Sequence, residues 1–214
     1  MVLNALFVPI AACQATVAMK SNTSAETSYL YPSSRYIFIA GIICSWVGDL
    51  CLGLSDIDFF IYGVLAFFMS HIAYIILMIN ITERKFSFNY FVLGVTGITI
   101  FLISLVLFFL WESIVQFRWY LVVYSFALLG LCMAAANTAF SENVRPDRAI
   151  ILMCGAFCFV ISDTLIVTTS FLLEQTDASK AFITISYITA QILLIRGITE
   201  RRLPASNRNH LFIK

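Results

Sequence analysis

Seven stretches of mostly apolar residues, each close to the roughly 17–25 residues a membrane span needs, organise this chain between short polar breaks. They fall at 2–19, 36–54, 58–80, 88–110, 119–140, 149–173 and 179–197. In lipid every backbone N–H and C=O must find its partner inside the protein, and a lone segment can do that only as a helix. The pattern therefore predicts an all-α polytopic membrane protein with seven transmembrane helices. Only a few polar residues separate 36–54 from 58–80, and 149–173 from 179–197, so each pair should form a tight antiparallel hairpin. Residues 1–198 read as one transmembrane domain and 199–214 as a short basic tail.

Composition agrees with this reading. Of 214 residues, 61% are hydrophobic and 12% charged, where a soluble domain carries about 25% charged residues. The net charge of +1 gives nucleic acid no footing. The first stretch starts at Val2 without a basic leader and ends at Lys20, so a cleavable signal peptide is not expected. The six cysteines lie in apolar stretches, without metal-ligand spacing, and read as small packing residues. No metal or cofactor is expected.

The basic residues sort sharply by side. Arg118 and Lys180 fall on the side of the N-terminus, and the other eleven, from Lys20 and Arg35 to Lys214, fall on the opposite side. Because basic residues gather in the cytoplasm, the N-terminus is expected outside and the C-terminus in the cytoplasm. The endoplasmic reticulum and the plasma membrane are the expected locations. Tyr36, Trp111, Trp119 and Tyr120 sit at span ends, where interfacial aromatics belong. The sequons at Asn22 and Asn80 fall on the cytoplasmic side and should go unused.

Against this apolar background two aspartates stand out, Asp49 in GIICSWVGDLCLGL and Asp163 in GAFCFVISDTLIV. A carboxylate at membrane depth costs several kcal/mol unless it is protonated, paired or wetted. The two surroundings also echo each other. Gly41, Cys44, Gly48 and Asp49 align without gaps on Gly155, Cys158, Ser162 and Asp163, and the next spans carry Ser70-His71-Ile72 and Ser186-Tyr187-Ile188. Both aspartate-bearing spans run in one direction, so the echo predicts a parallel helix repeat, with the carboxyls at similar depth on either side of a central hollow.

Other polar residues share these faces. Gly41, Ser45 and Asp49 recur every four residues, a small-residue face that admits a close neighbour. His71 and Tyr74 lie about one turn apart, as do Tyr187 and Gln191. Each can orient a carboxylate or a polar substrate group, and each can equally be a hydrogen bond between helices. Tyr124 is a weaker case of the same kind. Asn137 reads as a helix-end residue, and the stripe Gly130, Ala134 and Asn137 reads as packing.

The soluble nucleophile motifs are missing: there is no G-x-S-x-G, no H-E-x-x-H and no phosphate loop. Two carboxyls in a low-dielectric site suit a different reaction, in which one keeps its proton to donate and the other stays ionised to activate water or steady a cation. Acetal-like C–O bonds break this way, and a vinyl ether does so after protonation at carbon.

Gly48-Asp49 after Ser45, Ala66-Phe67-x-x-Ser70-His71-x-x-Tyr74, Val123-Tyr124, Gly155-Ala156-x-x-Phe159-x-x-Ser162-Asp163 and Tyr187-x-x-Ala190-Gln191 follow in that order. Together, over residues 40–195, they resemble the signature of the lysoplasmalogenase (YhhN-like) membrane family. The resemblance implies hydrolysis of the vinyl-ether bond of lysoplasmalogen lipids, giving a fatty aldehyde and a glycerophospho-base. It implies catalysis by Asp49 and Asp163, and a substrate pocket formed by His71, Tyr74, Tyr124, Ser162, Tyr187 and Gln191. It also implies eight spans, so this chain is expected to begin at the equivalent of the second, with Asn4 where the family often has lysine. The expected partners are the lipid substrate and the bilayer, and a homo-oligomer is compatible. A proton-coupled transporter using the same aspartates is the competing reading, told apart by solute flux without product. A seven-helix receptor ranks last, because it leaves the acidic pair without a purpose.

Overall fold

The computed structural model describes residues 32–54, 57–82, 86 and 89–199. Among the described residues the chain forms six α-helices: α1 (Pro32–Gly53), α2 (Ile57–Thr82), α3 (Tyr90–Leu110), α4 (Arg118–Thr138), α5 (Pro146–Phe171) and α6 (Asp177–Thr199). All six are long and apolar enough to cross a membrane. They match six of the seven expected spans, with ends shifted by a few residues. The first expected span, 2–19, and the basic tail lie outside the described residues, as does the Asn22 sequon.

Local chemistry explains two of the helix starts. The Asn89 side chain accepts a hydrogen bond from the Val92 backbone N–H at 2.9 Å and caps α3. Pro146, whose fixed φ suits the first helical turn, opens α5 earlier than hydropathy alone suggested. At the far end of the bundle the Arg118 guanidinium lies 4.7 Å from the centre of the Trp111 ring, and Trp119 meets Trp111 edge to face. These are two of the aromatics expected at span ends.

Helices α1 and α2 pack closely as one hairpin and α5 and α6 as another. Helix α4 lies between α2 and α5, and α3 lies against α4 with a lighter contact to α5. Only Val92, Val95, Thr99 and Leu110 of α3 are buried, whereas α4 buries Tyr124, Leu128, Leu131 and the run Ala134–Ala136. The outer surface carries large apolar side chains such as Phe101, Phe108, Phe126 and Ile150, the belt a bilayer would cover. Among the described residues α1 makes no close backbone approach to α6, and side chains bridge the space between them.

Small residues set the closeness of the hairpins, since apolar side chains gain little by leaving lipid for one another. A Cβ on Gly48 would fall 2.6 Å from the Phe67 ring, and one on Gly155 would fall 2.9 Å from Leu194. The internal echo has a counterpart in this packing. Gly48 of α1 faces Phe67 of α2, and the aligned Ser162 of α5 faces Ile183 of α6, its hydroxyl 3.4 Å from the Ile183 carbonyl oxygen.

One buried cation anchors α6. Arg148, in the first turn of α5, is almost wholly enclosed, and its guanidinium donates to the carbonyls of Gly197 and Ile198. These are among the last carbonyls of α6, which lack partners within the helix and carry the negative end of its dipole. Arg148→Met should therefore lower stability by about 3 kcal/mol, with Arg148→Lys recovering only part because an ammonium lacks the planar fork. Thermal unfolding in detergent micelles checks this; an unchanged midpoint for Arg148→Met would mean the clamp contributes nothing.

Candidate functional site

The polar residues singled out in the sequence converge from five of the six described helices. Asp49 comes from α1, His71 and Tyr74 from α2, Tyr124 from α4, Ser162 and Asp163 from α5, and Tyr187 and Gln191 from α6. They form two clusters, one around each aspartate.

The first cluster is ordered by the amide of Gln191. Its Oε1 accepts from the Tyr74 hydroxyl at 2.7 Å. Its Nε2 donates to Ser45 Oγ at 2.8 Å and to the Tyr187 hydroxyl at 3.2 Å. Ser45 and Ser70 share a further hydrogen bond of 2.6 Å. Both amide hydrogens are thus in use, and the Tyr187 oxygen already accepts one of them. The phenol's own hydrogen is left for Asp49, whose Oδ2 it reaches at 2.8 Å. A single amide so fixes the direction of every bond leading to the half-buried carboxyl.

The second cluster is drier. Asp163 is 5% exposed and accepts from the Tyr124 hydroxyl at 2.6 Å. His71, fully buried, holds Nε2 3.6 Å from the same carboxyl oxygen and Nδ1 3.4 Å from the Tyr124 hydroxyl. The ring also bonds the Phe67 backbone carbonyl one turn back. Nε2 itself makes no hydrogen bond, so that bond falls to Nδ1, which carries the proton in the neutral ring and leaves Nε2 a bare acceptor facing Asp163.

Phe159 joins the clusters. Its buried ring meets His71, Tyr74 and Tyr187, with centroids 4.9, 6.3 and 5.8 Å away. The aligned positions 71 and 187 are exchanged between the halves: Tyr187 of the second half serves Asp49 of the first, and His71 of the first faces Asp163 of the second.

A cavity of about 630 Å³ opens between α1, α2, α5 and α6. Asp49 and Tyr187 lie on its wall beside Phe67, and Leu52, Phe60, Ile166 and Ile183 give it an apolar lining. Ser170, Gln175, Asp177 and Lys180 line it toward the loop that joins α5 to α6. Of the predicted site residues, Asp49 and Tyr187 line this cavity. His71, Tyr74 and Gln191 stand behind them, and Ser162 ties α5 to α6 through its bond to Ile183. Asp163 and Tyr124 line a separate cleft of about 40 Å³ that faces α3. Asp49 and Asp163, expected on either side of one central hollow, line two different cavities among those described.

Ser45, Ser70, Phe67 and Phe159 belong to the site without having been assigned to it. Ser45 reads in sequence as a small packing residue, and all four stand in the quoted family signature without a role given to them. Among the described residues no group of three or more His, Cys, Asp and Glu side chains is placed to hold a metal ion.

The fold and the site define a class: a polytopic helical membrane protein with two tyrosine-bonded carboxyls inside its bundle. The chain belongs to the YhhN family, whose family model matches residues 3–198. It is also similar to the lysoplasmalogenase TMEM86A of Bos taurus, with 26% identity over 190 residues, covering 83% of this chain and 70% of the relative. No solved structure matches it.

The saturated amide makes a stability prediction. Gln191→Leu removes the acceptor of the Tyr74 hydroxyl and the donor to Ser45 and Tyr187, and should cost about 2 kcal/mol. Once Gln191 is gone, Tyr74→Phe should cost less than it does in the wild type, since the hydroxyl has already lost Gln191 and keeps only its contacts with Ser45 and Ser70. A double-mutant cycle on thermal unfolding tests the link, and strictly additive losses would contradict it.

Proposed function

We propose that this protein is a lysoplasmalogenase-like hydrolase that cleaves the vinyl-ether bond of a single-chain ether phospholipid within the membrane. Family membership and the likeness to a bovine lysoplasmalogenase support the reaction class. The observation that carries the reading is the Gln191–Tyr187–Asp49 chain on the wall of a mainly apolar cavity large enough for part of a lipid.

In the proposed reaction a proton adds to the vinyl carbon farther from oxygen, and the ether oxygen shares the resulting positive charge. Water adds to the carbon beside that oxygen and gives a proton to the ionised carboxylate. The hemiacetal hydroxyl then gives its proton to the carboxylate that donated in the first step, the bond to the glycerol oxygen breaks, that oxygen takes the proton held by the other carboxyl, and the aldehyde leaves. One water is consumed and both carboxyls return to their starting states.

The ionised role falls to Asp49. Its hydrogen-bond chain points a phenolic proton at it, and it lies where a cation in the cavity would be felt. The proton falls to the Asp163–His71 pair, where a shared hydrogen would supply the partner that Nε2 lacks. Asp163 lines the neighbouring cleft and not this cavity, so its proton must pass from one to the other. The charge bias of the loops supports a cytoplasmic C-terminus, with the Asp49 end of the bundle toward the opposite face.

Purified protein incubated with 1-alkenyl-glycerophospholipids should release fatty aldehyde, detected by mass spectrometry. Asp49→Asn and Asp163→Asn should each reduce the rate by at least about 100-fold while keeping the wild-type yield of folded protein. Full activity in either variant would defeat the mechanism. Solute flux in proteoliposomes with no aldehyde would favour a transporter instead.

A further inference from the structure

Resting on the hydrolase reading, we infer that Lys180 and Asp177 form a recognition site for a zwitterionic phospho head group, with Lys180 taking the phosphate and Asp177 the cationic amine. The cavity is continuous from Asp49 and Tyr187 to these two residues. Asp177 begins α6, and Tyr187 lies seven residues beyond Lys180 on the same helix. At 1.5 Å per residue the two side chains stand roughly 10 Å apart along the helix, with Lys180 nearer the membrane surface. In a lysoplasmalogen-type lipid the reactive ether sits on the first glycerol carbon and the phosphate on the third. An ether at Asp49 and Tyr187 therefore directs the phosphate toward the loop end of the cavity, and a flexible lysine side chain covers the remaining gap.

The charges at that end suit the ligand. Among the described residues Lys180 is the one basic residue lining the cavity and Asp177 the one acidic residue there besides Asp49. Their ends are 3.8 Å apart, Nζ to Oδ1, and both reach solvent. An exposed pair this loose is worth little, so a phosphate can take the lysine at small cost and leave the aspartate to the amine. Gln175 and Ser170 add further polar groups to the same stretch of wall. A lipid with a bare glycerol head would meet none of this charge.

Saturated ether lipids, which cannot be hydrolysed by this chemistry, test the head-group site by binding alone. The full chain in micelles is titrated with 1-alkyl-glycerophosphocholine and with 1-alkyl-glycerol. Lys180→Gln should weaken the phosphocholine lipid by about tenfold, leave the alkylglycerol unchanged, and be rescued by Lys180→Arg. Asp177→Asn should weaken the phosphocholine lipid but not 1-alkyl-glycerol 3-phosphate. Unchanged phosphocholine binding in Lys180→Gln would overturn the inference. Aldehyde release from the alkenyl lipids, measured alongside, separates the two readings. Lysine-dependent binding without aldehyde keeps the head-group site and removes the hydrolase; aldehyde with lysine-indifferent binding does the reverse.

Discussion

A polar side chain inside a bilayer must find its partners inside the protein, and in this molecule one amide meets most of that demand. Gln191 joins α6 to α2 through Tyr74 and to α1 through Ser45, and it orders Tyr187 on its own helix. Because α1 and α6 do not approach closely among the described residues, these side-chain bonds are what hold the two walls in register across the cavity. Stability and site geometry thus share one set of bonds. An apolar residue at position 191 would leave the space between the helices but remove the direction imposed on the Asp49 hydrogen bond.

The two halves of the bundle show how a repeated pattern can yield two different acids. Asp49 and Asp163 occupy aligned positions, and each is met by the residue aligned on the opposite half's second helix. That residue is a tyrosine in one case and a histidine in the other. A phenol whose oxygen already accepts a hydrogen bond can only donate to its carboxyl. A neutral imidazole with a bare nitrogen can only accept. The same backbone register, filled with different side chains, gives Asp49 a donor from the second helix, and gives Asp163 an acceptor there beside the hydroxyl it already accepts from Tyr124.

Much of this was legible in the chain, because lipid imposes length and satisfaction rules that sequence states directly. Six of the described helices answer to apolar stretches, and the charged residues that interrupt those stretches are few enough that Asp49 and Asp163 could not be overlooked. The exchange of His71 and Tyr187 was not legible, since a parallel repeat places the halves side by side without saying which partner each carboxyl meets. Nor was the placing of Asp49 and Asp163 on two different described cavities, since helical periodicity gives the face a residue lies on and not the shape of the space it meets. Lys180 entered the sequence only as a charge on one side of the membrane, and nothing in the chain ties it or Asp177 to a cavity.

The depth of the carboxyls bears on the choice between hydrolase and transporter. Asp49 is four residues before Gly53, the end of α1, or about 6 Å from the helix end at 1.5 Å per residue. Asp163 is eight residues before Phe171, about 12 Å from the end of α5 by the same rise. Asp49 therefore lies well short of the middle of its helix. Transporters place coupling carboxylates near the bilayer midplane, where access can alternate between the two faces. A vinyl ether next to a glycerophospho head group instead lies just below the polar surface, its alkenyl tail running inward. A carboxyl-bearing wall one turn below the helix end, with a charged pair above it and apolar residues beside it, fits the second arrangement and gives the first no reason to sit so close to one face.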